Sequence, residues 1–201
     1  WIGGKDNNDS LYVSATRYGS AIDSIFRTGP IMNLPYTFTE DSFWNKVWKV
    51  SKSDILFHLA NYLNFGYVPI SSILNWPAHG DTTKGESNII APFIDKNNDG
   101  KYNPFDGDYP EIYGDQTLLF IFNDDRNILT PKLKIEVMGM AYAFNCNDSS
   151  IFNTVFMKYW IKNKSNLEYD SVFVGLFFDF DIGCFSDDYL GTDVRRGIIY
   201  G

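Results

Sequence analysis

From residue 117 onward, apolar and polar positions alternate along the chain with a period of two. Leu133, Ile135 and Val137 are interleaved with Lys132, Lys134 and Glu136. Val155, Met157, Tyr159 and Ile161 are interleaved with Phe156, Lys158, Trp160 and Lys162. Val172, Val174, Leu176, Phe178 and Phe180 share a third face. Successive side chains of a strand point to opposite sides of its sheet, so each run predicts a strand, the first of them half-buried. Asn163-Lys164-Ser165-Asn166 supplies a turn between the last two.

The first half reads differently. Leu11 to Ala15 predicts a strand, Thr28-Gly29-Pro30 a turn, and Val47 to Val50 the end of another strand. Ser51-Lys52-Ser53-Asp54 then has the form of a helix capping box. Ile55, Leu59, Tyr62 and Leu63 follow at helical spacing, which predicts a helix over about residues 52–64. Ile70 to Trp76 predicts a second short helix, stopped by Pro77. Residues 77–116 are polar and rich in Gly, Pro, Asn and Asp. A loop that long is unusual inside a compact domain, so something beyond apolar burial is expected to order it. The expected fold is mainly β, an antiparallel β-sandwich or jelly-roll-like arrangement. It carries one or two short helices and a long calcium-binding loop segment. A strand, helix and loop region over 1–116 and sandwich strands over 117–201 are expected to form one continuous domain.

Composition narrows the function. The 201 residues suffice to bury a core, 44% are hydrophobic, and aromatics at 17% favour pleated, half-buried surfaces. A net charge of −8 opposes binding to nucleic-acid phosphates or anionic lipid and suits cations. No apolar stretch approaches the roughly 20 residues that span a bilayer. The ends, Trp1-Ile2-Gly3-Gly4 and Gly197-Ile198-Ile199-Tyr200-Gly201, read as those of an internal or processed fragment of a larger protein. Cys146 and Cys184 form no C-x-x-C pair; one disulfide between them and two buried free thiols both fit the sequence.

The sharpest chemical signal is the segment Asp95 to Asp106, which matches D-x-[DN]-x-[DN]-G. Ca²⁺ prefers six to eight oxygen ligands, which a loop of about 12 residues can wrap around it. Asp95, Asn97 and Asp99 would offer side-chain oxygens, Lys101 its carbonyl, Asn103 the ninth position and Asp106 the closing carboxylate. Gly100 falls where the chain must turn. Asp106 is shorter than the usual closing Glu, and Pro104 with Gly107 opposes a following helix. A weak extracellular site, of order 10⁻⁴–10⁻³ M, is therefore expected instead of a helix-loop-helix sensor.

A second acidic group comprises Asp179, Asp181, Asp187, Asp188 and Asp193. Asp179 and Asp181, two apart, would share one face of a strand, and a cation would relieve their repulsion. A solvated acidic loop, or a carboxylate pair for glycoside hydrolysis, is the alternative. No H-E-x-x-H, G-x-S-x-G, P-loop or G-x-G-x-x-G occurs. Of the two histidines, His58 reads as a structural or surface residue, while His79 lies in a loop close to the calcium segment. The aromatics fit either a core or a sugar-binding face.

Several longer motifs carry a resemblance. They include Val47-Trp48-Lys49-Val50-Ser51-Lys52-Ser53-Asp54-Ile55, Trp76-Pro77-Ala78-His79-Gly80 and Ala91-Pro92-Phe93-Ile94-Asp95. Gly107-Asp108-Tyr109-Pro110, Phe122-Asn123-Asp124, Met140-Ala141-Tyr142-Ala143-Phe144 and Asp187-Asp188-Tyr189-Leu190-Gly191 extend the set. Over nearly its whole length the chain resembles large secreted proteins of Bacteroidetes that carry a type IX secretion sorting domain, which this segment does not contain. The likeness implies export by the type IX machinery and display or release at the outer cell surface; it implies no reaction. Thr192 stands where that group often has Cys. Asp9-Ser10-Leu11, Asp23-Ser24-Ile25, Asp81-Thr82-Thr83 and Asp170-Ser171-Val172 resemble the O-glycosylation signal of such bacteria. The expected function is a non-catalytic, calcium-stabilised module for adhesion, scaffolding or interaction with surface glycans or proteins. The alternative is a carbohydrate-binding or glycan-degrading module.

Overall fold

The computed structural model describes residues 1–16, 26–33, 35–125, 131–178, 180, 183–184 and 186–201. Its strands begin with β1 (Ile2–Asp6), β2 (Leu11–Ser14), β3 (Arg27–Thr28) and β4 (Trp48–Ser51). They continue with β5 (Phe93–Ile94), β6 (Tyr109–Pro110), β7 (Gln116–Asn123) and β8 (Ile135–Ala143). The last four are β9 (Phe156–Asn163), β10 (Tyr169–Val174), β11 (Gly191–Asp193) and β12 (Ile198–Tyr200). Among the described residues four short helices intervene: α1 (Phe38–Trp44), α2 (Lys52–Asn61), α3 (Ser71–Leu74) and α4 (Ser149–Phe152). The protein is therefore mainly antiparallel β, with no closed barrel among the described residues.

The central sheet is built on β7–β8–β9, three consecutive antiparallel strands. β3 and β4 pair with opposite ends of the free edge of β7. Alternation along β7 and β8 gives this sheet two apolar faces. Leu119 lies opposite Met140 and Ile121 opposite Met138. These four pack with Val50, Ile55, Ile73, Trp76, Ala78, Ile90 and Ala91, supplied by β4, the helices and the long loop segment. Phe122 lies opposite Val137 and belongs to the other face. There Ile2, Leu133, Ile135 and Val137 form a second cluster, joined by Tyr12, Phe26 and Tyr169. Burial on both faces explains the apolar run of β8. Gly139 lies opposite Phe120, and a β-carbon there would come within 2.3 Å of the Phe120 ring.

A second sheet has the order β10–β1–β2. The turn after Asn163 forms as expected, closed by Ser165 N–H donating to Asn163 Oδ1 at 2.9 Å. Beyond it, however, the chain leaves β9 and pairs β10 with β1. The predicted third strand stops at Val174, so Leu176 and Phe178 lie outside any strand. Gly175 N–H still donates to the Trp1 carbonyl at 2.9 Å, after which the ladder ends.

The helix predicted from the Ser51 capping box forms, and both reciprocal bonds with Asp54 are present. It ends at Asn61, three residues short of expectation. Two helices were not expected. α1 has the same start signal, Thr37 with Glu40, and again both bonds of the box are made. α4 is capped by Asp148. The long polar segment also departs from expectation, because it contributes Ala78, Ile90 and Ala91 to the core at no more than 3% exposure. Apolar burial thus helps to order it. Both cysteines are exposed and free, Cys146 bonded to the Asp148 carbonyl and Cys184 to Ser186, so neither the disulfide nor the buried-thiol reading holds.

Asp124 is fully buried at the end of β7. Its Oδ2 accepts from Ser14 Oγ at 2.6 Å and Leu133 N at 3.0 Å, and its Oδ1 from Ile135 N at 2.8 Å. It therefore joins the end of β2 to the start of β8. Asp124→Ala would leave three buried donors unpaired, and should cost about 3 kcal/mol or more in urea unfolding. A loss below about 1 kcal/mol would show that the junction does not depend on this carboxylate.

Candidate functional site

The two-residue strands β5 and β6 pair Phe93 with Pro110 and Ile94 with Tyr109, and so close the base of the loop 95–108. Inside it, three expected ligands turn toward one another. Asp95 Oδ1 and Asn97 Oδ1 both accept from Asp99 N, at 3.3 and 3.1 Å. Asp95 Oδ2 accepts from Gly100 N at 2.7 Å, and Asp99 Oδ1 from Lys101 N at 2.8 Å. Asn97 Nδ2 donates to Asp99 Oδ2 at 3.2 Å. Such turns need left-handed backbone, which Asn98 (φ 58°) and Gly100 (φ 78°) supply.

The far side of the loop is arranged differently. Asn103 Oδ1 accepts from Phe105 N at 3.2 Å, capping a 3₁₀ turn over Pro104–Asp106. Asn103 Nδ2 donates to Asp106 Oδ2 at 2.6 Å. Asn103 and Asp106 are thus paired with each other. The residue that ties the two sides together is Asp108, which the sequence offered only as part of a motif. It is fully buried and accepts from Lys96 N and Asn103 N, both at 2.8 Å. Tyr102 adds two further ties, its Oη donating to the Ile73 carbonyl at 2.6 Å and its N–H to His79 Nε2 at 3.1 Å. Burial pushes the Tyr102 phenol far up from its ordinary range, so it acts as a donor.

The second acidic group does not assemble among the described residues. Asp179 and Asp181 lie outside them, as does Asp23-Ser24-Ile25. Asp187 is exposed and Asp188 half-buried. Asp193 accepts from Arg195 N and Arg196 N and pairs with the Arg196 guanidinium at 2.9 Å. No group of three or more His, Cys, Asp or Glu side chains among the described residues is placed to share a metal ion.

Each histidine is held by neighbouring groups. His58 is fully buried, its Nδ1 is 3.2 Å from Tyr67 Oη, and burial lowers its pKa. His79 Nε2 accepts from Tyr102 N–H, so the ring proton sits on Nδ1, 2.9 Å from the Asn88 carbonyl.

Beside His79 a cleft of about 570 Å³ opens between α1 and residues 75–86. Glu86 on its wall is buried, and its Oε2 accepts from Asp81 N at 2.7 Å. Desolvation raises the Glu86 pKa, with the charges of Asp81 and Glu136 adding to it. A comparison with protein-family models, curated proteins and solved structures finds no match for the chain.

Two outcomes are expected. Asp108→Ala removes the shared acceptor of two part-buried amides and should cost about 1–3 kcal/mol, whereas Asp106→Ala in calcium-free buffer should change stability by under about 0.5 kcal/mol. Equal losses in urea unfolding would remove Asp108 from its role. For Glu86, the raised pKa means its favourable contribution is present below the ordinary glutamate range and is lost as pH rises through the raised value. Glu86→Gln should therefore gain melting temperature over the wild type at about pH 8, and little or none at about pH 4. The reverse pattern would contradict burial as the cause.

Proposed function

We propose that this chain is a non-catalytic, calcium-stabilised module, sandwich-like in fold, of a secreted or cell-surface bacterial protein that serves adhesion, scaffolding or interaction. The observation that carries the reading is the inward turn of Asp95, Asn97 and Asp99 onto the Asp99, Gly100 and Lys101 amides. It brings oxygen-bearing side chains together around a glycine turn, and an oxygen-only donor set suits a hard cation. The side chains of Asp95, Asn97 and Asp99 and the carbonyl of Lys101 would hold the ion. Asp106 would complete the set by giving up its bond from Asn103. The ion would relieve repulsion among these carboxylates in a chain of net charge −8.

The base of the loop supports a stabilising role. Asp108, Tyr102 and the β5–β6 pair fix both ends of the loop on the core, so there is little room for the large opening a sensor needs. The likeness of the motifs to secreted Bacteroidetes proteins supports export through the type IX machinery to the outer surface. No helix is long and apolar enough to cross a membrane among the described residues.

Calcium titration of the purified protein tests the reading. At a free concentration of about 100 times Kd, a site specific to the native state adds about 2.7 kcal/mol. For a chain of this size the melting temperature should rise by roughly 5–10 °C, and chelator should reverse it. Asp95→Ala together with Asp99→Ala should abolish the rise. An unchanged melting temperature in the wild type at about 10 mM Ca²⁺ would rule the proposal out.

A further inference from the structure

The cleft between α1 and residues 75–86 is not used by the calcium reading, yet the Trp76-Pro77-Ala78-His79-Gly80 motif forms part of its wall. Its size falls within the range of small-ligand sites, roughly 300–1,000 Å³. The polar atoms of its ring residues are engaged elsewhere. Trp76 Nε1 donates to the Pro92 carbonyl at 3.0 Å, and both ring nitrogens of His79 are bonded, to Tyr102 and Asn88. Trp44, in edge contact with Phe43, adds a further buried ring. Trp44 and Trp76 are themselves buried, so the carbon surface most open to a ligand is the Phe43 ring. Phe43 stands at the mouth, 54% exposed, with the Lys46 ammonium 4.4 Å over its ring.

Hydrogen-bonding capacity comes from Glu40, Asp81, Glu86, Lys84 and Lys46, which also line the cleft. Glu86 is spoken for at one oxygen only; no donor among the described residues reaches its Oε1. Lys84 Nζ lies 3.4 Å from Glu40 Oε1 and 4.0 Å from Asp81 Oδ2, so the charges are largely balanced within the cleft. Neither a strong cation nor an anion is favoured there. Aromatic carbon surfaces bordered by both acceptors and donors match a neutral polyhydroxylated ring, whose C–H faces stack while its hydroxyls take part in both kinds of bond.

We infer that this cleft binds a neutral sugar ring of a glycan, with Phe43 as the stacking platform and Glu86 and Asp81 as hydroxyl acceptors. The sugar's C–H face displaces Lys46 from the Phe43 ring. The inference goes beyond the calcium reading and does not rest on it, since every contact named here is made by protein groups alone.

Calorimetric titration of the whole chain with cellohexaose, xylohexaose, chitohexaose and mannohexaose, each in calcium buffer and in chelator, tests it. At least one hexasaccharide is expected to bind and to change the tryptophan fluorescence. Phe43→Ala, a change at an exposed position, is expected to weaken that binding about tenfold while leaving the melting temperature unchanged. Glu86→Gln is expected to weaken it as well. Absence of binding by all four, binding unaffected by both variants, or preference for spermidine over every saccharide would overturn the inference. Saccharide binding that persists when calcium has no effect would leave the cleft standing and remove only the calcium proposal.

Discussion

Asp124 and Asp108 solve the same problem at two places. Each is a carboxylate with no exposed surface, and each accepts from main-chain N–H groups at the start of a strand or outside the ladders. Glu136 does likewise, accepting from Ile31 N at 3.0 Å and Ser87 Oγ at 2.9 Å. The neighbouring Asn123, opposite Glu136 in the sheet, donates to the carbonyls of Gly29 and Pro30. A buried N–H without a partner costs more than a single hydrogen bond contributes, and a charged acceptor makes the stronger bond. The long connections of this protein are therefore held on the central sheet by polar groups inside the core. The apolar clusters on the two faces of β8 supply the driving force, but they do not specify where a loop must lie.

This arrangement gives the protein opposing responses to acid. Asp6 is held below the ordinary carboxylate range, chiefly by the Ser10 amide, so its contribution is present above that range and is lost on acidification. Glu86, raised by burial, contributes in the opposite sense. Asp6 takes two amides and is favoured as an anion; Glu86 takes one, and its desolvation outweighs that bond.

The strands and helices that were legible in the sequence are those whose pattern is local. The alternation at Leu133 to Val137 and at Val155 to Ile161, and the Ser51 capping box, each depend on a few consecutive residues. Thr37-Phe38-Thr39-Glu40 carried the same capping signal and was equally available. The strand predicted to run to Phe180 failed because its partner, β1, lies at the other end of the chain, and the run of apolar residues outlasts the five paired residues of β1. Asp108 was hidden for a related reason. Its role depends on two amides, at Lys96 and Asn103, that only the folded loop brings together. In the candidate calcium loop the same limit applies: positions 95, 97 and 99 act through neighbouring amides and could be read directly, whereas Asn103 and Asp106 turn out to be paired with each other.

The loop and the cleft meet at His79. One ring nitrogen accepts from Tyr102 in the loop, the other is bonded to Asn88, and the ring stacks edge-on to Phe93 at the base of the loop. Tyr102 is fixed in turn by Ile73 of α3 and by the Phe93 ring. Order in the loop therefore restricts the orientation of a ring that lines the cleft. A cation held by Asp95, Asn97 and Asp99 would lower the loop's conformational entropy, and part of that restriction would pass through Tyr102 to the cleft wall. Such a coupling would need no movement, only a narrower distribution of side-chain positions. On this basis a structural ion and a binding surface need not be separate features of the module: the first would preorganise the second.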